Sequence, residues 1–139
     1  MDRAELAAAV QRELTVFARR VRGVPQRLEH ELPFVAYSML SSIDAVEGCR
    51  SVDLVALYRL DKSTVSRQAA DLERRGLIAR TAGPARGQVL RVTVTGQTLL
   101  REAAATRQAE LVSRVAAWSD GELAAFAAAL QRYNAAEPG

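Results

Sequence analysis

The chain has 139 residues, 49% of them hydrophobic and 25% charged, with a formal net charge of +3 and a pI near 9.6. One cysteine, Cys49, and one histidine, His30, exclude an internal disulfide and a multi-ligand Cys/His metal set, and nothing in the sequence pairs the two for nucleophilic chemistry. The mixed charges of residues 1–20 fit neither a signal nor a transit peptide, and the longest apolar run, 123–130, falls far short of the ~18 residues that suggest a membrane span, so one soluble, cytoplasmic domain with no membrane partner is expected.

Residues 3–22 read as a helix. Leu6, Val10, Leu14, Phe17 and Val21 recur at three-to-four spacing, and Gly23 and Pro25 end the pattern. A loop holds His30 between Glu29 and Glu31, a weak ligand spacing. Pro33 suits the first turn of a second helix, where its missing N–H costs nothing. Phe34, Tyr37, Leu40 and Ile43 make the expected apolar face of that helix, and Gly48 its stop. Ser51 to Tyr58 is a short helix with Val52, Val55 and Ala56 inward. Arg59, Leu60 and Asp61 form a tight turn into a fourth helix, Lys62 to about Arg75, with Asp61 or Ser63 as N-cap and Gly76 just past its end.

After Gly76 the period changes. LIART, AGPARGQ and VLRVTV read as strand, loop and strand, a β-hairpin with Gly83, Pro84 and Gly87 at its tip. Thr93 caps a long helix through Trp118, with Leu99, Ala103, Thr106, Leu111, Val115 and Trp118 along one face. Ser119 and Glu122 form a capping box for a last helix carrying Leu123, Phe126, Ala127, Leu130 and Tyr133. The fold class is therefore mainly α with a small β-hairpin wing, a winged helix-turn-helix with flanking helices. The lobe spans 33–94, and the flanking helices 1–32 and 95–139, of a single domain 1–139.

The charge is uneven. Residues 1–58 hold seven arginines and eight acids, and 92–139 hold four arginines and five acids. Residues 59–91 hold eight basic groups and three acids, a local +5 over the fourth helix and the hairpin. A basic block with near-neutral flanks is the footprint of a polyanion contact, most often nucleic acid. On the fourth helix Val65, Ala69 and Leu72 fall inward, and Ser63, Thr64, Arg67, Gln68 and Asp71 on or beside the opposite face; Lys62, Ser63, Thr64, Ser66, Arg67 and Gln68 are the candidate DNA contacts. Small hydroxyls at a helix N-terminus allow close approach to phosphates. Arg67 and Gln68 have the reach for base edges. Arg67 can instead pair with Asp71 one turn on, and Ser63 can serve only as a cap. Arg86, between Ala85 and Gly87, is the candidate wing contact for a minor groove.

The stretch LDKSTVSRQAADLERRGLIAR, the hairpin and RVTVTGQTLL resemble the MarR (multiple antibiotic resistance regulator) family of bacterial transcription regulators. The specific pieces are STVSR at 63–67, LERRGLI at 72–78 and the pattern of Val92, Thr93 and Gly96. The resemblance implies a homodimer held by the first helix and the last two, binding double-stranded DNA with no cofactor. It puts Arg86 at the wing-arginine position. It also implies response to a small aromatic or lipophilic effector, for which Phe17, Phe34, Tyr37 and Trp118 are candidate walls or else core residues, or to an oxidant. Cys49, beside Arg50, is the candidate thiol or else a buried structural residue, since redox-sensing members usually place the thiol near the first helix. Two positions depart from the family pattern: Pro84 replaces an acid two places before the wing arginine, and Arg59 replaces a turn glycine. Competing readings are an interaction module that has lost DNA binding, and an enzyme. The latter lacks a nucleophile–base set, and GPARGQ lacks the lysine of a phosphate loop.

Overall fold

The computed structural model describes residues 1–22, 32–83 and 87–137, with backbone alone at 22. Among them the order is α1 (Arg3–Arg22), α2 (Phe34–Ala45), α3 (Ser51–Tyr58), α4 (Lys62–Arg74), β1 (Ile78–Ala82), β2 (Gln88–Val92), α5 (Val94–Arg114) and α6 (Asp120–Ala135). The residues group into two compact units, Met1–Ala103 and Ala104–Gly139. None of the helices described is long and apolar enough to cross a membrane.

The core of the first unit gathers side chains from α2, α3, α4 and the hairpin. Met39, Leu40, Leu54, Val65, Leu72 and Leu90 are its largest fully buried members, with Cys49 among them. α2 starts one residue later than expected. Pro33 stands at its N-cap (φ −53°, ψ 152°) and accepts the Tyr37 N–H at 2.8 Å, so the missing proline N–H is harmless there too. Its buried face is Ala36, Met39, Leu40 and Ile43, which shares Leu40 and Ile43 with the expected one but not Phe34 and Tyr37. Phe34 is 43% exposed, and Tyr37 is half-buried against the core. The helix is apolar on several sides, so spacing alone admits more than one stripe. α3 shows the same ambiguity: Leu54 takes the core position, Val55 packs beside it, and Val52 and Ala56 face out. The Tyr58 hydroxyl lies 2.7 Å from Ser38 Oγ and 3.0 Å from Ser42 Oγ, joining α3 to α2 through a half-buried hydroxyl cluster.

α4 ends as its sequence dictates. Gly76 takes φ +72°. The Leu77 N–H reaches back to the Leu72 carbonyl (3.0 Å) and the Gly76 N–H to Glu73 (2.9 Å). These paired bonds, with Leu72 and Leu77 both buried, form the Schellman stop that satisfies the helix's last carbonyls. The chain then enters an antiparallel hairpin in the register Ile78↔Val92 to Ala82↔Gln88. Ile78 and Leu90 point into the core. The Leu90 N–H donates to the Cys49 carbonyl at 2.7 Å, pinning the outer edge of β2 to the segment before α3. The Gly83 N–H donates to the Gly87 carbonyl at 2.7 Å near the tip.

α5 begins against the end of α4. Thr93 Oγ accepts the Gly96 N–H (3.0 Å) and donates to the Gly76 carbonyl (2.6 Å), so one hydroxyl caps one helix and ties it to the stop of another. A β-carbon on Gly96 would stand 2.1 Å from the Leu77 carbonyl oxygen. No side chain fits in that gap, which is the physical content of the Val92, Thr93, Gly96 pattern. Leu99 and Leu100 pack on the core. The helix stops at Arg114 rather than Trp118. The Ala116 and Trp118 N–H groups reach only three residues back, to Ser113 and Val115, and tighten the chain out of the α-helix. The capping box of α6 is closed: Ser119 N–H to Glu122 Oε2 is 2.7 Å and Glu122 N–H to Ser119 Oγ is 3.2 Å. These bonds also hold the Glu122 carboxyl below its usual range.

Candidate nucleic-acid interface

α4 presents a dry side and a wet side. Val65, Ala69 and Leu72 are buried. Lys62, Ser63, Ser66 and Arg67 are exposed, and Thr64 and Gln68 are half-buried. The N-cap is Asp61, whose Oδ1 accepts the Thr64 N–H at 2.6 Å and the Ser63 hydroxyl at 2.9 Å. The hydrogen bonds from Thr64, then that from Ser63, hold the Asp61 carboxyl down to about 2, with a smaller contribution from Arg67. Ser63 is therefore not the cap. Its hydroxyl donates to Asp61 instead.

Arg67 does not pair with Asp71. Its Nη2 donates to Thr64 Oγ at 3.4 Å, while Asp71 pairs with Arg74 at 3.1 Å. The third acid of the basic block, Glu73, receives Arg80 Nε at 2.5 Å, joining α4 to β1. Each acid in the block thus has a local structural partner: a helix N-terminus, a helix neighbour and a wing arginine. The sequence reading missed the Arg80–Glu73 pair. The two residues sit on different elements across the Gly76 stop, where no periodicity relates them.

Arg86, with Pro84, lies outside the described residues, and so does His30. The four aromatic effector candidates do not all stand on one element. Phe17 is 49% exposed on α1, with the Arg20 guanidinium 5.4 Å from its ring centre. Phe34 and Tyr37 stand on the first turn of α2, and Trp118 belongs to the second unit, where it meets Phe126 edge-on at 5.5 Å. A cleft of about 610 Å³ opens between Arg75 and Leu77 on one side and Val94, Thr98 and Glu102 on the other; none of the four aromatics lines it. Cys49 corrects the oxidant-sensor reading. It is 1% exposed, and burial, then the charge of Asp53, push its thiol pKa up. A reactive thiol needs the opposite of both.

The sequence profile of the MarR family matches residues 30–88. The chain is 34% identical over 131 residues to the HTH-type transcriptional regulator YxaD of Bacillus subtilis (strain 168), covering 91% of this chain and 92% of that one. Its fold is similar to a MarR family protein from Bacillus stearothermophilus (TM-score 0.77, 21% identity, 94% of this chain and 91% of that chain). It is also similar to the PcaV transcriptional regulator from Streptomyces coelicolor, solved in complex with its natural ligand (TM-score 0.70, 24% identity, 99% and 98%). With a winged helix-turn-helix lobe, this motif set and a relative matched along nearly its whole length, the chain belongs to the MarR family of transcriptional regulators.

Proposed function

We propose that the protein is a homodimeric, sequence-specific DNA-binding repressor whose affinity for a pseudo-palindromic operator falls when a small aromatic or lipophilic molecule binds. The observation that carries this reading is the outer side of α4. Arg67 is exposed and held by Thr64 beside a capped helix N-terminus, with the nearest acid on its own helix committed to Arg74. An arginine so placed presents a bidentate donor to a guanine edge in the major groove, while Ser63, Ser66 and Lys62 meet phosphates and Gln68 an adenine. Arg86 is assigned to the minor groove on sequence grounds.

Dimerisation is supported by apolar side chains that each unit leaves in water. Leu6, Val10, Val16 and Phe17 on α1, and Leu111, Val112, Phe126 and Tyr133 on α5 and α6, are between 44% and 60% exposed. Patches of this kind on a monomer mark a protein interface. In this reading residues 1–32 and 95–139 join two copies, and 33–94 is the reading lobe of each. Two lobes related by a two-fold axis read half-sites about one helical turn apart. That PcaV was solved with a natural ligand is in keeping with a ligand-responsive regulator. Such a ligand acts by favouring a dimer whose recognition helices no longer match the half-site spacing.

The test is binding to the DNA upstream of the protein's own gene. Arg67→Ala is expected to weaken specific binding by ~1–3 kcal/mol and relax preference at one base position in each half-site. An unchanged sequence preference in that variant removes Arg67 from readout.

A further inference from the structure

Arg50 lies outside the basic block in the sequence, in the segment whose acids outnumber its arginines. The fold moves it to the wing. Leu90 N–H donates to the carbonyl of Cys49, which sets residue 50 beside the hairpin. The Arg50 N–H donates to Asp53 Oδ2 at 2.8 Å and fixes the backbone at the start of α3. From there the side chain runs to Gly87. A β-carbon built on Gly87 would stand 2.7 Å from Arg50 Cζ, 2.8 Å from Nε and 3.0 Å from Nη1. The guanidinium plane thus occupies the place a side chain would take. The glycines with positive φ among the described residues are Gly48 and Gly76. Position 87 therefore asks for glycine because of what lies against it, not because of its backbone angles.

A two-stranded ribbon is marginal in isolation. The Leu90–Cys49 hydrogen bond anchors the outer strand at its buried end, and Gly87 lies three residues further toward the tip. We propose that Arg50 is a positioning residue for the wing: its guanidinium, seated on Gly87, holds the distal part of the hairpin to the N-terminus of α3 and so sets where the wing meets DNA. The consequence for DNA rests on the DNA-binding reading above; the clamp itself does not.

The intact protein is compared with Arg50→Ala, Arg50→Lys, Gly87→Ala and the double variant Arg50→Ala/Gly87→Ala. The three nearest atoms to a methyl group at 87 all belong to the Arg50 guanidinium, so Gly87→Ala displaces the guanidinium first. Two quantities are read. One is amide exchange at Gln88, Val89 and Leu90 in DNA-free protein, and the other is Kd for the upstream DNA. Arg50→Ala and Gly87→Ala each speed exchange at these amides and raise Kd about fivefold or more, and the double variant is no worse than either single one, the non-additivity of two changes that break one contact. Arg50→Lys fails to restore either quantity, because a point charge lacks the planar face that lies on the glycine. Additive effects on exchange, or exchange unchanged in Arg50→Ala, overturn the clamp. If the intact protein binds no DNA, the exchange arm still decides the clamp, and only the DNA reading falls.

Discussion

Arg59 carries a left-handed backbone, φ 52° and ψ 33°, at the end of α3. The β-carbon of an L-residue crowds the following carbonyl there, at a cost of ~1 kcal/mol that glycine avoids. The turn keeps its shape and accepts the strain of a non-glycine residue. Arg59→Gly is expected to stabilise the protein by ~0.5–1 kcal/mol, the relief being partly offset by the freer unfolded chain. Urea unfolding midpoints measure it, and a lower midpoint in the variant contradicts the strain. Other single residues were less legible. Arg80 and Arg50 take their roles from partners on other elements, Glu73 and Gly87, so only the packed chain reveals them. Cys49 looked like a candidate thiol beside an arginine. Three dimensions turned it into a core residue whose backbone carbonyl, not its sulfur, does the linking.

At the scale of elements, caps and stops were readable because they depend on residues within a turn of one another. Asp61 before α4, Gly76 after it, Thr93 before α5 and the Ser119–Glu122 box all stand where local chemistry puts them. Faces were harder. α2 and α3 are apolar on several sides, so which side is buried depends on the neighbours, and Ala36, Met39 and Leu54 took places assigned to Phe34, Val52 and Ala56. The Asp61 cap carries a pH consequence. Its carboxyl is lowered from 3.8 to about 2 on folding. A depressed folded-state value means that the cap's contribution is complete above about pH 4 and lost as pH falls toward 2. Asp61→Asn keeps a capping oxygen but no titrating group. The variant is expected to match the parent near neutrality and to lose less stability than the parent between pH 4 and pH 2. Parallel slopes for the two proteins in denaturant titrations over that window contradict the assigned role.

At the scale of the whole molecule, the mild charge of +3 conceals a division of labour. The three acids of the central block serve its architecture, one capping α4 and two pairing with Arg74 and Arg80. Arg67 and Lys62 remain on the outer side of the helix. Arg50, counted with the slightly acidic flank, joins them at the wing. The winged lobe was visible in the sequence because hydrophobic period, turn residues and charge all select the same stretch. The flanking helices were visible as helices only. Their apolar residues stay largely exposed within one chain, and in the proposed dimer a second copy would cover them, which one chain's periodicity does not encode. The proposed working unit is two chains presenting two basic lobes at a fixed spacing. The most direct measurement is a footprint of the purified protein on the DNA upstream of its own gene at low and physiological salt. The account predicts two protected, inverted half-sites about one helical turn apart, with an affinity that falls steeply with salt. Protection of a single half-site, or none at low salt, would contradict it.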